Sequence, residues 1–231
     1  MPGPTNLLVL AKEPRPGFAK TRLSPAFTPD GAAALAAAAL ADTLDAVLAA
    51  PARRRVLVLD GEPGPWLPRG LPYGAPPLEI VPQVEGGLDE RIAAAFAACE
   101  GPTLFVGMDT PQLTPAHLAD ATGPEAWRDF DALFGPAADG GFWLLGLARP
   151  DPSLLRGVPM STAHTGAAQR ERLTGAGLAV RDLPVLRDVD TPEDAWAVAA
   201  DAPGTRFAAE LARRRAGQAS HDGGPSRARQ P

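Results

Sequence analysis

Short apolar runs alternate with longer amphipathic stretches along the first half of this chain. The runs have the length and composition of buried strands, and they lie at 6–11, 55–60, 78–81 and 103–106. Two stretches between them have helical spacing: one begins at Thr28-Pro29, a preferred N-cap followed by proline at the first helical position, and the other covers Leu88 to Cys99. This alternation predicts a parallel sheet with right-handed crossovers.

The same pattern continues through the second half of the chain. It predicts strands at 131–135, 142–147 and 178–183. It also predicts helices after Thr114-Pro115, over 161–173 and after Thr191-Pro192. Together these elements indicate one α/β domain over residues 1–212, with a mostly parallel central sheet flanked by helices.

Two segments depart from the pattern. Residues 61–77 are rich in proline and glycine, which predicts an irregular excursion, interpreted as a flap over the site. From Arg213 onward the chain shows no apolar periodicity, so residues 213–231 are predicted to be a disordered tail.

Composition narrows the class of protein. The chain has 231 residues, 45% of them hydrophobic, which is enough for a packed core. A net charge of -5 and a pI of about 5.2 argue against a protein that binds nucleic-acid polymers. No stretch approaches the roughly 20 apolar residues that cross a bilayer, and the N-terminus lacks a basic region before its apolar run. We therefore expect a cytoplasmic protein without a membrane segment.

Positive charge is concentrated after the first predicted strand, in residues 12–22, the basic loop. Lys12 and Lys20 are the only lysines among 22 basic residues, and both lie in this loop close to Arg22. An ammonium is a compact, strongly hydrated point charge, which suits a phosphate. Since open α/β sheets bind ligands beyond the carboxyl ends of their strands, the loop predicts a site for a small anionic substrate. Chance clustering in an arginine-rich sequence is the alternative.

Three aspartates are expected at the same edge of the sheet: Asp109, Asp188 and Asp190. Carboxylates of this kind suit Mg²⁺ or Mn²⁺, which bind to one or two of them together with substrate phosphates. The three histidines are scattered, so a zinc site is not expected. The alternatives are that Asp109 is a turn or N-cap residue and that Asp190 is a helix N-cap.

Four segments resemble a bacterial GT-A-fold family within the nucleotide-diphospho-sugar transferase superfamily, a glycosyltransferase-like family. They are AKEPRPGFAKTRLSP, GMDTPQLTPAHL, GPAADGGFWLLGL and RDVDTPEDA, and the resemblance covers about Leu7 to Ala197. The opening segment is also similar to the 2-phospho-lactate and phosphoenolpyruvate guanylyltransferases. The resemblance implies a single-domain, Rossmann-like GT-A fold.

The guanylyltransferase resemblance also implies roles for individual residues. Nucleotide phosphates would be bound by Lys12, Lys20 and Arg22, of which Lys20 and Arg22 would also act in catalysis. The metal would be held by Asp109, Asp188 and Asp190. A small phosphorylated or carboxylate acceptor would be bound near the start of a helix by Ser161, Thr162 and Thr165; the alternative for Ser161 is a simple N-cap.

The sequence departs from these families at two places where their members bind the nucleotide, so its nucleotide contacts are expected to differ in detail. The first loop contains Pro14, Pro16 and Gly17 instead of the glycine-rich sequence of sugar nucleotidyltransferases, and no Asp-x-Asp follows the fourth strand.

Asp139 lies in a DGG turn whose glycines let a substrate approach the backbone, so it is a candidate base or acceptor-binding group. Its alternative role is that of an ordinary turn residue, because Asp-Gly favours hairpins.

Three functions are compatible with these residues. The charge count favours nucleotidyl transfer from a nucleoside triphosphate to a small anionic acceptor with release of pyrophosphate, since two ammoniums, a guanidinium and a divalent metal suit that transition state. Glycosyl transfer from a nucleotide sugar is the alternative, with Asp139 as base. A nucleotide-binding protein without catalysis is the third.

Overall fold

The structure, a computed structural model, describes residues 4–67 and 78–222. Its strands are β1 (Asn6–Lys12), β2 (Arg54–Asp60), β3 (Leu78–Pro82), β4 (Thr103–Gly107), β5 (Ala132–Pro136), β6 (Phe142–Leu147) and β7 (Val180–Asp182). Its α-helices are α1 (Pro29–Ala49), α2 (Leu88–Ala97), α3 (Pro115–Thr122), α4 (Thr165–Gly175), α5 (Pro192–Asp201) and α6 (Arg206–Asp222). Every predicted strand in this part of the chain is present, which confirms the α/β prediction.

One sheet contains all of these strands, in the order β3-β2-β1-β4-β6-β5-β7. β6 is antiparallel to both of its neighbours, and the remaining pairs are parallel. As a result, every strand except β6 ends at the same edge of the sheet, and β6 begins there. The sheet is mostly parallel, as predicted, and the segments that follow six of its strands leave from this carboxyl edge.

The central strands are buried on both faces because helices cover both sides of the sheet. Leu7 and Val9 of β1 pack into one cluster with α1 and α3, whereas Leu8 and Leu10 pack with Phe96 of α2 into the other. Each of these side chains is at most 7% exposed. Burying one aliphatic side chain contributes roughly 2 kcal/mol, so these two layers fix the position of the strand ends.

Helix α1 contradicts the prediction that no stretch of the chain is long and apolar enough to cross a bilayer. Its 21 residues are long and apolar enough to cross a bilayer by length and composition, so the prediction that no such stretch exists is wrong. In the structure, 61% of its most apolar window is buried inside the protein, as in the core helix of a globular domain. The Thr28 hydroxyl accepts a hydrogen bond from Gly31 N, which confirms the predicted N-cap.

The C-terminal helix also differs from the prediction. Helix α6 runs to Asp222, past the proposed domain end at 212, so the first part of the predicted tail is helical. Phe207 and Leu211 are buried against α1 and α5, and Glu210 pairs with Arg213 and Arg214 one turn later. These contacts supply helical order that apolar periodicity alone does not indicate. Residues 223–231 lie outside the described part of the chain.

One helix start and one N-cap were placed too early in the sequence. Helix α4 begins at Thr165 with His164 as its N-cap, so the N-cap alternative for Ser161 is wrong. Ser161 has φ +59°, a left-handed conformation that a helix cannot include. Helix α5 is capped by Thr191, not Asp190. The predicted flap is described only to residue 67, where Trp66 and Leu67 pack against the core.

Candidate functional site

The candidate site lies where three loops meet at the carboxyl edge of the sheet. The Lys20 ammonium lies 2.8 Å from Asp109 Oδ2 and 3.0 Å from Asp190 Oδ1, and it also donates to the carbonyl oxygen of Val189. The Lys20 side chain is only 7% exposed. The structure therefore brings the basic loop directly against two of the three predicted aspartates.

Lys20 is held in place by its backbone and its neighbours. It adopts a left-handed conformation, with φ 54° and ψ 38°, between the buried residues Ala19 and Leu23. Burial alone would lower the pKa of the ammonium, but the charges of Asp109 and Asp190 outweigh it and raise the pKa above its ordinary value. Lys20 is therefore charged, and its three N–H donors have three protein acceptors.

Asp188 and Asp109 form a second group beside Lys20. The Thr110 hydroxyl donates to Asp188 Oδ1 at 2.9 Å. Burial, followed by the negative charge of Asp109, raises the pKa of Asp188 to about 7. The other oxygen of Asp109, Oδ1, is buried and has no hydrogen-bond partner. Two adjacent carboxylates with an unused oxygen are a donor set that fits a hard divalent cation.

Asp190 is oriented differently from the other two predicted ligands. Its oxygens contact Lys20 and Arg22, the latter at 3.3 Å from Asp190 Oδ2. Among residues 4–67 and 78–222, no three acidic, histidine or cysteine side chains are grouped so that they could hold a metal. Both oxygens of Asp190 thus face cations of the basic loop, whereas Asp109 contacts Lys20 through Oδ2 only.

Hydrogen bonds join the loop after β4 to the segment after β7. Gln112 Nε2 donates to the carbonyl oxygen of Arg187 at 2.6 Å, and Val189 N donates to the carbonyl oxygen of Asp109 at 2.9 Å. Together with the hydrogen bond from Thr110 to Asp188, these bonds fix the loop that contains Asp109 against the segment that contains Asp188. Sequence reasoning missed Thr110 and Gln112, although both lie in the quoted segment GMDTPQLTPAHL. Their closeness to Asp109 in the sequence was the one feature that could have indicated a role in the site.

The remaining cations of the basic loop face outward. Arg22 has a side chain that is 66% exposed. Lys12 and Arg15 are exposed, and both cationic groups lie over the ring of Phe18, at 5.5 Å and 4.6 Å from its centroid. Arg15 and Phe18 were not among the predicted site residues, because an aromatic residue beside cations carries no distinctive sequence signal.

The DGG turn lies next to the predicted acceptor loop. Asp139 Oδ1 accepts from Gly141 N at 2.8 Å, an ordinary turn contact, and the charge of Asp139 reaches Asp188 and helps to raise its pKa. Gly166 N donates to the carbonyl oxygen of Gly140 at 2.8 Å. A side chain at Gly140 would overlap the carbonyl oxygen of Ala163, so glycine is what allows this close approach.

The three predicted acceptor-binding residues have different surroundings. Thr165 is 5% exposed, and its hydroxyl donates to the carbonyl oxygen of Pro159 and accepts from Thr162 N at 3.0 Å. Ser161 and Thr162 are exposed beside the DGG turn. Thr165 therefore shapes the loop, while Ser161 and Thr162 are available to a ligand.

Comparison with known proteins agrees with this architecture. Residues 43–162 match the family described as "Uncharacterized protein conserved in bacteria (DUF2064)". The chain is 35% identical over 190 residues to a phosphoenolpyruvate guanylyltransferase of Salinispora arenicola, covering 78% of this chain and 81% of that protein. It is 36% identical over 209 residues to one of Streptosporangium roseum, covering 86% and 87%.

Solved structures share the fold. A crystal structure described as a nucleotide-diphospho-sugar transferase of Desulfovibrio desulfuricans has a TM-score of 0.77 and 24% identity, covering 93% of this chain and 96% of that one. A mannosyltransferase from Pyrobaculum calidifontis in complex with GDP-Man and Mn²⁺ has a TM-score of 0.50 and 13% identity, covering 81% and 57%. With its GT-A-like sheet and its relatives, this chain belongs to the DUF2064 family and is homologous to the phosphoenolpyruvate guanylyltransferases.

Proposed function

We propose that this protein is a transferase that moves a nucleotidyl group from a nucleoside triphosphate to a small phosphorylated or carboxylate acceptor. The observation that carries the proposal is the contact of the Lys20 ammonium with Asp109 and Asp190. This contact brings the cations of the basic loop next to two carboxylates at one edge of the sheet, and a polyphosphate with a divalent ion needs both kinds of charge close together. The guanylyltransferase homologues support the same reaction class.

In the proposed reaction, an acceptor oxygen attacks the α-phosphorus of the triphosphate. The bond from that phosphorus to the bridging oxygen breaks, and pyrophosphate leaves with the bonding electron pair. Negative charge grows on the departing group, and exposed cations of the basic loop, Lys12 and Arg22 among them, are available to stabilise it. Lys20 contributes by holding Asp109 and Asp190 at fixed positions.

Asp109 and Asp188 are the residues that would hold Mg²⁺ or Mn²⁺. Their carboxylates are neighbours, and Asp109 Oδ1 has no hydrogen-bond partner. The negative charge of Asp109 disfavours ionisation of Asp188, and a bound cation would relieve this repulsion. A bound divalent ion would neutralise charge on the phosphate oxygens. The Mn²⁺ in the mannosyltransferase complex supports a divalent metal in this fold without choosing between the two ions.

The acceptor is proposed to lie between the DGG turn and the loop before α4. Ser161 and Thr162 present hydroxyl groups there, and Asp139 lies on the adjoining turn. In nucleotidyl transfer Asp139 would orient an anionic acceptor through a bridging water, and in glycosyl transfer it would accept the proton of an acceptor hydroxyl. A cytoplasmic location belongs to the same proposal, since nucleoside triphosphates are substrates.

Glycosyl transfer from a nucleotide sugar is the second candidate. It is favoured by Asp139, whose charge reaches Asp188 and which is therefore close to the site where a nucleotide diphosphate would be held. The mannosyltransferase with the same fold supports it. Fold alone does not choose between these reactions.

One product assay separates the two candidates. The protein is incubated with Mg²⁺ or Mn²⁺, a panel of nucleoside triphosphates and nucleotide sugars, and acceptors that carry phosphate, carboxylate or hydroxyl groups. Pyrophosphate together with a nucleotidylated acceptor supports the first function, and a nucleoside diphosphate with a glycosylated acceptor supports the second. Binding without either product would contradict both and favour a non-catalytic nucleotide-binding protein. Asp109→Asn serves as the inactive control.

A further inference from the structure

The cations of the basic loop differ in what they contact. Lys20 makes three polar contacts, to Asp109, Asp190 and the carbonyl oxygen of Val189, and only 7% of its side chain is exposed. An ammonium has three N–H donors, so Lys20 has none left for a phosphate unless those contacts break. The polyphosphate of the proposed reaction must find other donors in this loop.

Lys12 and Arg15 have their donors available. Neither side chain makes an ion pair with a carboxylate in the described part of the chain, and both residues are exposed. The Arg15 guanidinium lies 4.6 Å from the centroid of the Phe18 ring and the Lys12 ammonium 5.5 Å from it. The face of an aromatic ring attracts cations without occupying their N–H groups.

The loop backbone holds Phe18 and Arg15 in this relation. Arg15 N donates to the carbonyl oxygen of Glu13, and the carbonyl oxygen of Arg15 accepts from Phe18 N at 3.0 Å. The loop is also tied to the sheet, because Glu13 N donates to the carbonyl oxygen of Asp60 and Ala19 is buried. The two cations are therefore gathered at one place before any ligand binds, although like charges repel.

We propose that Arg15 is a polyphosphate-binding residue and that Phe18 is the positioning residue that holds Arg15 and Lys12 together for it. This inference rests on the proposed function and deepens it, because it assigns the β- and γ-phosphate region to the Arg15–Phe18–Lys12 cluster. A guanidinium presents paired N–H donors that match two phosphate oxygens. Lys20 then positions the carboxylates and does not bind phosphate directly.

The test measures the affinity of the metal-free protein for inorganic tripolyphosphate and for nucleoside triphosphates by calorimetry. Tripolyphosphate has no base, so it reports on phosphate contacts alone. Arg15→Gln is expected to weaken binding of both ligands about tenfold or more, since a charged hydrogen bond is lost. Arg149→Gln is the matched control: Arg149 is an exposed arginine that follows β6 at the opposite edge of the sheet, and its loss should leave both affinities unchanged.

Phe18 is tested by a pair of variants. Phe18→Leu removes the ring and keeps apolar bulk, so affinity for both ligands should fall by roughly threefold, the effect of an exposed cation–π contact. Phe18→Tyr keeps the ring face and should restore wild-type affinity. If Phe18→Leu weakens nucleotide binding but not tripolyphosphate binding, the ring contacts the base and the positioning role is overturned.

The remaining outcomes are also decisive. If the wild-type protein binds triphosphates and transfers the nucleotidyl group, but Arg15→Gln binds as tightly as wild type, the cluster is refuted while the proposed function stands. If the wild-type protein binds neither ligand and releases no pyrophosphate, both proposals fail. Thermal unfolding of each variant checks folding; Arg15 and Arg149 are exposed, so their glutamine variants should unfold at the wild-type temperature.

Discussion

Replacement of Asp188 by asparagine tests whether the site contains two carboxylates that repel each other. The introduced amide side chain would have nearly the same shape, and its carbonyl oxygen could still accept the 2.9 Å hydrogen bond that the Thr110 hydroxyl donates to Asp188. What changes is the charge beside Asp109. Any effect of Asp188→Asn on the metal-free protein is therefore chiefly electrostatic.

The expected magnitude follows from the pKa of Asp188, which burial and the charge of Asp109 raise from 3.8 to about 7. A rise of the pKa from 3.8 to about 7 corresponds to ~4 kcal/mol, and partial solvent screening reduces the expected effect to roughly 2 kcal/mol. The carboxyl group of Asp188 therefore binds its proton more tightly in the folded protein than in the unfolded chain. Its stabilising contribution is therefore present below pH 3.8 and is lost as the pH rises to about 7.

The assay is urea unfolding of wild type and Asp188→Asn in EDTA at several pH values between 4 and 8. The variant should equal wild type near pH 4 and exceed it by roughly 2 kcal/mol at pH 8. Asp120→Asn, an exposed position on α3, should show no such pH-dependent difference. A difference between Asp188→Asn and wild type that stays constant across this range, or a variant that is less stable at pH 8, would refute the electrostatic reasoning.

Three further predictions concern the contacts around the site. Thr110→Val removes the hydroxyl that donates to Asp188 and should lower the Mn²⁺ affinity of the protein severalfold, by roughly 1 kcal/mol; Thr110→Ser should retain it, as measured by Mn²⁺ titration followed by electron paramagnetic resonance. Lys20→Met leaves Asp109 and Asp190 without their shared cation and should lower the free energy of unfolding at pH 8 by ~2 kcal/mol. A variant as stable as the wild-type protein would count against the structural role of Lys20. Gly140→Ala should destabilise by at least ~2 kcal/mol because of φ +89° and overlap with Ala163; Gly157→Ala, also at positive φ but in open space, should lose only about half as much in the same urea titration.

The sequence was sufficient to predict the strands and most helices for a clear physical reason. A strand buried on both faces must be a short, continuous apolar run, and β1, β2 and β4 are such runs. The direction of β6 could not be predicted in the same way, because burial does not depend on whether a neighbouring strand runs parallel or antiparallel. The left-handed backbone at Ser161 was also not predictable, since serine is a common N-cap.

The site was predictable in its location more than in its contacts. Lys20 and Asp109 follow strands that end at one edge of the sheet, so the alternation of elements already placed them near each other. Which acceptors take the three donors of Lys20 depends on side-chain directions in three dimensions. Apolar periodicity carries no information about them, and the same holds for Arg15 over Phe18.

The ammonium of Lys20 joins parts of the chain that are 170 positions apart, from the loop after the first strand to the segment after the last. A ribosome that has made only the first half of this protein has therefore made no competent enzyme, even if the early strands have already paired. We expect activity to emerge late, after the final strand docks, because contacts of such long sequence separation are slow to form. Proteolytic loss of either end of the domain should abolish catalysis while leaving much of the central sheet intact.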